Sequence, residues 1–153
     1  MKKFAASPLL VVTLCMLMVK AHAQTDPIEK LWYNGDKTSK IQIYKGPDGS
    51  YWGKIYWLKE PLDKDTGKPK LDKENPDEKL RSTPVQDMVI MKGFKKNPEK
   101  KEEYIDGSIY DPKKGKIYCG KVTFNGNSLD LRGYICHFSF LGRTETWDIV
   151  EGQ

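Results

Sequence analysis

Residues 108–147 constrain the fold of this chain more than any other segment, because they hold three apolar runs separated by two strong turn signals. The first turn, residues 111–115, reads DPKKG, in which proline presets φ and glycine accepts a positive φ. The second, residues 125–127, reads NGN, which is typical of a β-hairpin. The segment therefore predicts three consecutive antiparallel strands.

The two strands around the second turn have one apolar face. Apolar or small residues alternate with polar ones along residues 118–124 and again along residues 129–135. A four-residue loop between these runs places Phe124 opposite Leu129, so that the apolar positions of both strands share one side. We therefore expect an antiparallel meander with one face against the core.

The rest of the chain repeats this pattern of short strands and turns. Three glycines inside strands, Gly53, Gly120 and Gly133, indicate strong curvature or bulges. The sequence predicts an all-β fold, an antiparallel up-and-down barrel of about eight strands, with a two-sheet sandwich as the alternative.

One long polar loop, residues 59–86, interrupts the strands. Asn75 is a favourable N-cap residue and Pro76 suits the first helical position, so a short helix running to about Arg81 is expected within the loop. Loops of this length inside compact domains are usually functional or mobile.

The first 23 residues have the pattern of a secretory signal peptide. Lys2 and Lys3 precede an apolar run at residues 4–19, and Ala-His-Ala at 21–23 fits a cleavage site. An uncleaved membrane anchor is the alternative, but the apolar run is short for a span. We expect a mature domain of residues 24–153, periplasmic or secreted, with no stable membrane span after processing.

The charge of that mature chain is nearly balanced. Removing three lysines with the signal peptide leaves 23 basic residues against 21 acidic ones, a net charge of +2 rather than the +5 of the whole chain. So balanced a surface gives no support for a nucleic-acid partner or for an anionic membrane as a partner. Oligomeric state is left open.

Two cysteines, Cys119 and Cys136, remain after processing. In the expected register they lie diagonally across two strands, where Cα atoms are roughly 7–8 Å apart. A disulfide is possible only with a register shift or a bulge, so two buried thiols are the favoured interpretation.

A β-bulge is expected at Cys136 and His137. Unbroken alternation after residue 135 would expose both Phe138 and Phe140, which forgoes roughly 1.5–3 kcal/mol for each ring. One extra residue resets the phase and buries them. The alternative is regular pairing with both rings exposed as an apolar patch for a partner.

Several short segments are distinctive in combination and in order: LW at 31–32, GKI at 53–55, WL at 57–58, DKENP at 72–76, GSIYDP at 107–112, GKIY at 115–118, LRGY at 131–134 and GRTETW at 142–147. With these segments the chain resembles a bacterial exported family catalogued as domain of unknown function 2147. The resemblance implies a lipocalin-like barrel, export from a Gram-negative cell and no assigned activity. Two positions depart from the family pattern: Thr83, where a second arginine is common, and Asp87, where glycine is common. The departure at Thr83 argues against an anion site built from two arginines.

No catalytic residue and no metal ligand set is predicted. His137 is the one histidine after processing, and no nucleophile motif accompanies it. The acids of the long loop are interleaved with lysines and do not match a calcium loop, so solvated charge is the favoured interpretation. No cofactor is expected.

Ligand-binding and structural roles are assigned to two groups of residues. Aromatic and basic residues on the strands are expected to line a cavity for a ligand: Trp52, Trp57, Tyr118, Arg132, Tyr134 and Arg143. Asp72, Asn75 and Arg81 are expected to clamp the long loop to the barrel rim through an Asp72–Arg81 ion pair.

These observations favour an exported lipocalin-like barrel that binds a small apolar or amphipathic ligand in the cell envelope without catalysis. Two alternatives stay open. One is an envelope hydrolase using carboxylates at the barrel mouth, and the other is a structural module filled by its own side chains.

Overall fold

The computed structural model describes residues 25–152, so the predicted signal peptide at residues 1–23 lies outside the described residues. Eight strands form one closed antiparallel barrel in chain order. They are β1 Leu31–Tyr33, β2 Ser39–Lys45, β3 Tyr51–Leu58, β4 Val89–Lys96, β5 Glu103–Asp111, β6 Lys116–Phe124, β7 Ser128–Ile135 and β8 Phe138–Ile149. The predicted fold class is confirmed.

The barrel closes where β1 pairs with β8, through Trp32 opposite Ile149. Every other strand pairs with its neighbours in sequence, and the β6–β7 register places Phe124 opposite Leu129 as expected. The alternation along residues 118–124 and 129–135 was therefore sufficient to predict this register.

One end of the barrel, here called the closed end, is filled by side chains. It carries the N-terminal residues 26–30 and the turns β2–β3, β4–β5 and β6–β7. Ile28 is buried there, and the indole Nε1 of Trp32 donates to its carbonyl oxygen at 2.9 Å. The buried cluster inside the barrel contains Ile28, Trp32, Ile41, Ile43, Met91, Phe94, Tyr104, Val122, Leu129, Leu131 and Trp147.

Phe94 fits inside the barrel because the two residues that face its ring, Gly107 on β5 and Gly120 on β6, have no side chain. A Cβ atom at Gly107 or at Gly120 would overlap its ring. Gly120 therefore makes room for the core. It also borders the register shift between Tyr104 and Gly107 in the β5–β6 pair, as Gly53 borders a shift in the β3–β4 pair.

The other end, here called the open end, carries the β1–β2, β5–β6 and β7–β8 turns and the long loop. Within the loop, a 3₁₀ helix spans Glu78–Leu80, and the side chain of Asp77 caps it by accepting from the Lys79 amide at 3.0 Å. The predicted short helix is present, but the expected N-cap at Asn75 is wrong, because Asp77 caps the helix instead.

The β7–β8 connection differs from the sequence-based expectation. Cys136 and His137 form a two-residue turn, and His137 has a φ of 70°. The pairing shifts from Tyr134 opposite Gly142 to Ile135 opposite Phe138, which leaves residues 139–141 without partners.

Phe138 and Phe140 are therefore exposed, at 51% and 75%, and their predicted burial is wrong. Alternation from residue 129 could not be extended past residue 135, because the chain reverses there instead of continuing as a strand. The irregularity lies on β8, after the turn, rather than at Cys136 and His137.

The structure contains a Cys119–Cys136 disulfide, with the Cα atoms 5.1 Å apart. The favoured interpretation of two buried thiols is wrong, since both residues are bridged and only half-buried. Cys119 pairs with Tyr134 as expected. The bridge forms because Cys136 is the first residue of the turn, where the chain no longer follows the regular strand spacing.

Candidate ligand site beneath the long loop

A fully buried carboxylate holds the long loop against the outer wall of the barrel. Asp72 has no exposed surface, and both of its oxygens accept from the Tyr110 hydroxyl at 2.8 Å. Asn75 donates its side-chain amide to the same carboxylate at 2.6 Å. The Asp72 amide donates to the Thr83 carbonyl at 2.9 Å, so the loop is bonded both to itself and to β5.

The predicted attachment of the long loop through Asp72, Asn75 and Arg81 is correct for the first two residues and wrong for the third. Asp72 and Asn75 do hold the loop, but Arg81 does not pair with Asp72. Its Nε donates to the Asn75 carbonyl at 2.8 Å, and its guanidinium pairs with Glu78 at 3.2 Å. The anchoring partner is Tyr110, the penultimate residue of β5 at the open end of the barrel.

Tyr110 stays protonated at ordinary pH. Burial, together with its hydrogen bond to the Asp72 carboxylate, raises the pKa of Tyr110 to about 12. Its hydroxyl is thus a donor to Asp72 throughout the neutral range.

A cavity of about 320 Å³ lies between the loop and the outer faces of β4, β5 and β6. We call it the loop cavity. Its apolar wall consists of Pro76, Leu80, Met88, Val89, Ile90 and Ile117, and its polar wall of Asp72, Asn75, Thr83, Lys92, Ser108 and Tyr110. This size and this mixture of groups are typical of small-molecule sites.

Lys92 is the cationic side chain in that wall. Its Nζ lies 5.6 Å from the centre of the Trp52 ring, on the outer face of the barrel. The Trp52 indole is itself fixed, because its Nε1 donates to Asp48 at 3.1 Å and to the Ser50 hydroxyl at 3.0 Å. Trp52 thus contacts Lys92, which lines the loop cavity, but Trp52 itself is not part of the cavity wall.

The six predicted ligand-lining residues do not share one surface. Tyr118 lies in phase with buried Val122, and Arg143 pairs with Gly133 in phase with buried Leu131, so both face into the barrel.

The other four residues lie on the outer wall. Trp52, Arg132 and Tyr134 fall in the opposite phase to the buried residues of their strands. Trp57 is in phase with buried Ile55, but a register shift between them pairs it with the outward Lys40, whose Nζ lies 5.3 Å from the centre of its ring. The six residues therefore do not line the single cavity that was predicted, because neighbouring positions on a strand point to opposite faces of the barrel wall.

The two inward residues belong to a shallow cup at the open end. Its wall includes Ile109, Tyr118 and Gly133, all partly exposed, and Arg143 lies exposed at its rim. Among the described residues Arg143 forms no ion pair. The neighbouring Glu145 is occupied, since it accepts from the Gly35 amide at 2.7 Å.

A second carboxylate cluster lies at the closed end. Asp26 accepts from Tyr51 at 3.0 Å, from Lys96 at 3.1 Å and from the Tyr104 hydroxyl. Burial acts to raise the pKa of Asp26, but these hydrogen bonds outweigh it and hold the pKa below its usual value. A carboxyl group kept ionised in this way is unsuited to the role of general acid.

Sequence reasoning missed Tyr110, Ser108 and Lys92 as components of a site. All three lie in the outward phase of β4 and β5. The available signal was the length of the loop, because a 30-residue connection must cover some part of the barrel wall.

Across residues 25–152, no helix has the length and apolar character needed to cross a bilayer. Within that described range, no three His, Cys, Asp or Glu side chains converge to hold a metal ion.

The closed eight-stranded barrel, plugged at one end and open at the other, defines a lipocalin-like protein. The chain belongs to the family described as "uncharacterized protein conserved in bacteria (DUF2147)", which it matches over residues 30–148. This confirms the resemblance noted in the sequence.

Among solved structures, the chain is similar to one described as "Protein HP1028 from the human pathogen Helicobacter pylori belongs to the lipocalin family". The TM-score is 0.68 at 23% identity, covering 83% of this chain and 84% of that one. At this identity the similarity establishes the fold. A search of curated proteins finds no match.

Proposed function

We propose that this protein is an exported binding protein of the cell envelope, and that its ligand is a small, largely apolar molecule with one anionic group held in the loop cavity. The observation that carries the proposal is the cavity itself, about 320 Å³ with an apolar wall, the Lys92 cation and a buried carboxylate. Apolar walls supply affinity, and a few fixed polar groups supply orientation.

Lys92 supports the anionic character of the ligand. Asp72 already accepts from Tyr110 and Asn75, so it needs no cationic ligand to satisfy it. Lys92 is held by the Trp52 ring rather than by a carboxylate, and its ammonium group is available to a bound anion.

The expected affinity is modest. A ligand that buries about ten methylene groups gains roughly 8 kcal/mol at about 0.8 kcal/mol each, before the cost of immobilisation is subtracted. A dissociation constant in the micromolar range or weaker follows.

Export is supported by the signal-peptide pattern at residues 1–23 and, independently, by the disulfide. Cys119 and Cys136 are bridged, and structural disulfides persist in oxidising compartments such as the periplasm. Localisation in the periplasm or outside the cell is part of the proposal.

The cup at the open end is the second candidate site. Gly133 favours it, because a side chain there would meet only Ile109 and Tyr118 at 3.7 and 3.8 Å, which is ordinary contact. The wall above the filled core thus has space for a ligand group, with Arg143 at the rim.

Titration with anilinonaphthalene sulfonate, an apolar dye with one negative charge, tests both sites. Ser108→Phe places a ring in the loop cavity, and Gly133→Leu places a side chain in the cup. We expect saturable binding that Ser108→Phe weakens about tenfold or more and that Gly133→Leu leaves unchanged. Lys92→Gln should weaken it severalfold.

Loss of dye binding in Gly133→Leu alone would move the site to the cup. Absence of saturable binding by the unsubstituted protein would contradict the proposal for both sites. Circular dichroism and thermal unfolding of each variant control for misfolding.

A further inference from the structure

The end of the β7–β8 hairpin exposes a cluster of large apolar side chains. We call this cluster the β7–β8 tip: Ile135, Phe138, Phe140 and Leu141, between 49% and 75% exposed. Phe138 and Phe140 contact each other edge to face, with ring centres 6.1 Å apart. Contiguous exposed apolar groups of this kind mark interaction sites.

The tip is held in a fixed position on the barrel. The Cys119–Cys136 disulfide fastens its turn to β6. On the other side of the hairpin, the Arg132 guanidinium donates to the Ser139 carbonyl at 2.8 Å and to the Thr144 hydroxyl at 3.4 Å. The exposed rings are thus presented by a braced hairpin.

Basic residues lie beside the tip on its β6 side. Continuing the β6–β7 register from Cys119 opposite Tyr134 toward the open end places Lys116 beside the turn at residues 136–137. Lys116 is the first residue of β6, and the β5–β6 turn that precedes it carries Lys113 and Lys114.

The balance of charge in this region is positive. Residues 111–118 and 132–145 together contain five basic residues and two acidic ones. Both acids are occupied, since Asp111 pairs with Lys114 at 3.6 Å and Glu145 accepts from the Gly35 amide.

Apolar side chains that protrude beside basic residues match the interface of an anionic bilayer, where rings enter the headgroup region and lysines remain among the lipid phosphates. We propose that the β7–β8 tip docks the barrel on an anionic lipid surface, with the open end facing the lipid. The proposal is independent of the loop cavity and of whether a ligand occupies it.

Co-sedimentation with vesicles tests the proposal, using the chain from residue 24, which contains the whole closed barrel and its N-terminal plug. We expect binding to vesicles of equal parts phosphatidylcholine and phosphatidylglycerol, little binding to phosphatidylcholine alone, and weakening as salt is added. The double variant Phe138→Ser, Phe140→Ser should lose about tenfold or more in partitioning.

Matched controls separate the tip from general effects. Leu62→Ser removes another exposed apolar side chain, in the long loop, and should bind as the unsubstituted protein does. Replacing Lys113, Lys114 and Lys116 by glutamate should abolish binding to anionic vesicles. The same change at three closed-end lysines, Lys45, Lys95 and Lys101, should weaken it much less.

No binding to anionic vesicles, or equal losses in the tip and control variants, would overturn the proposal. Self-association that the double phenylalanine variant abolishes, without vesicle binding, would identify the tip as an interface between copies instead. Because both rings are exposed, the double variant should unfold at nearly the same temperature as the parent protein.

Discussion

At the scale of single residues, the Asp72–Tyr110 pair is the most consequential contact in the molecule. A buried carboxylate that loses a hydrogen-bond donor keeps its desolvation cost without compensation. Tyr110→Phe removes the donor that serves both Asp72 oxygens and should lower the free energy of unfolding by about 1–3 kcal/mol. Urea denaturation measures this loss. Tyr56→Phe, at a half-exposed tyrosine, is the control and should be nearly neutral.

The same residue predicts a change of stability in alkali. The pKa of Tyr110 is raised from its usual value near 10 to about 12 in the folded protein. Its contribution is therefore fully present below pH 10 and is lost as the pH rises through 12. The unsubstituted protein should lose stability more steeply over that window than Tyr110→Phe does, and parallel curves would contradict the assigned hydrogen bond.

The sequence predicted the residues that anchor the long loop but not the strand residue to which they bind. Asp72 and Asn75 were recognised as loop anchors, but their partner on β5 was not, because sequence separation hides which outward strand residue the loop covers. Asp87 has a φ of 65°, in the region that favours glycine. A residue other than glycine therefore holds this conformation, at a position where the family resemblance led us to expect glycine.

At the scale of elements, the β6–β7 hairpin was predictable and the β7–β8 hairpin was not. Strict alternation and an Asn-Gly turn specify the former. The latter has Cys136 and His137 in its turn, with none of the usual glycine or asparagine, so the turn was not visible in the sequence. For that reason the Cys119–Cys136 disulfide was only the less favoured alternative.

The disulfide should contribute measurably to stability. It joins residues 17 apart, and closing a loop of about that length stabilises a fold by roughly 3 kcal/mol. Replacing both cysteines by serine should lower the free energy of unfolding in guanidinium by about that amount. A reductant should produce a similar loss in the parent protein and none in the variant. An unchanged midpoint in both would show that the bridge does not constrain the unfolded chain.

At the scale of the whole molecule, the closed end depends on the N-terminal residues. Asp26 ties them to Tyr51, Tyr104 and Lys96. Because the pKa of Asp26 is lowered on folding, its stabilising contribution is present above its unfolded value near 3.8 and is lost as the pH falls through the folded value.

Asp26→Asn removes the charge from these hydrogen bonds and should cost about 1–3 kcal/mol at neutral pH. The difference from the parent protein should shrink below pH 3.8. Thermal unfolding at neutral and acid pH measures both effects, and a difference that grows in acid would contradict the assigned contacts.

The fold class followed from the sequence because hydrophobic alternation and turn chemistry are local. The loop cavity did not, because it arises where a polar loop meets the outer wall, and neither surface has an apolar pattern strong enough to predict the contact. The side-chain-filled core shows that the interior of this barrel is largely occupied at its closed end.

Native mass spectrometry of the protein purified from its own cells tests most directly whether the loop cavity is a binding site. We expect one small molecule to accompany the parent protein and Gly133→Leu, and to be absent from Ser108→Phe. A bare protein mass for all three forms, or a bound molecule that Ser108→Phe retains, would contradict ligand binding in the loop cavity.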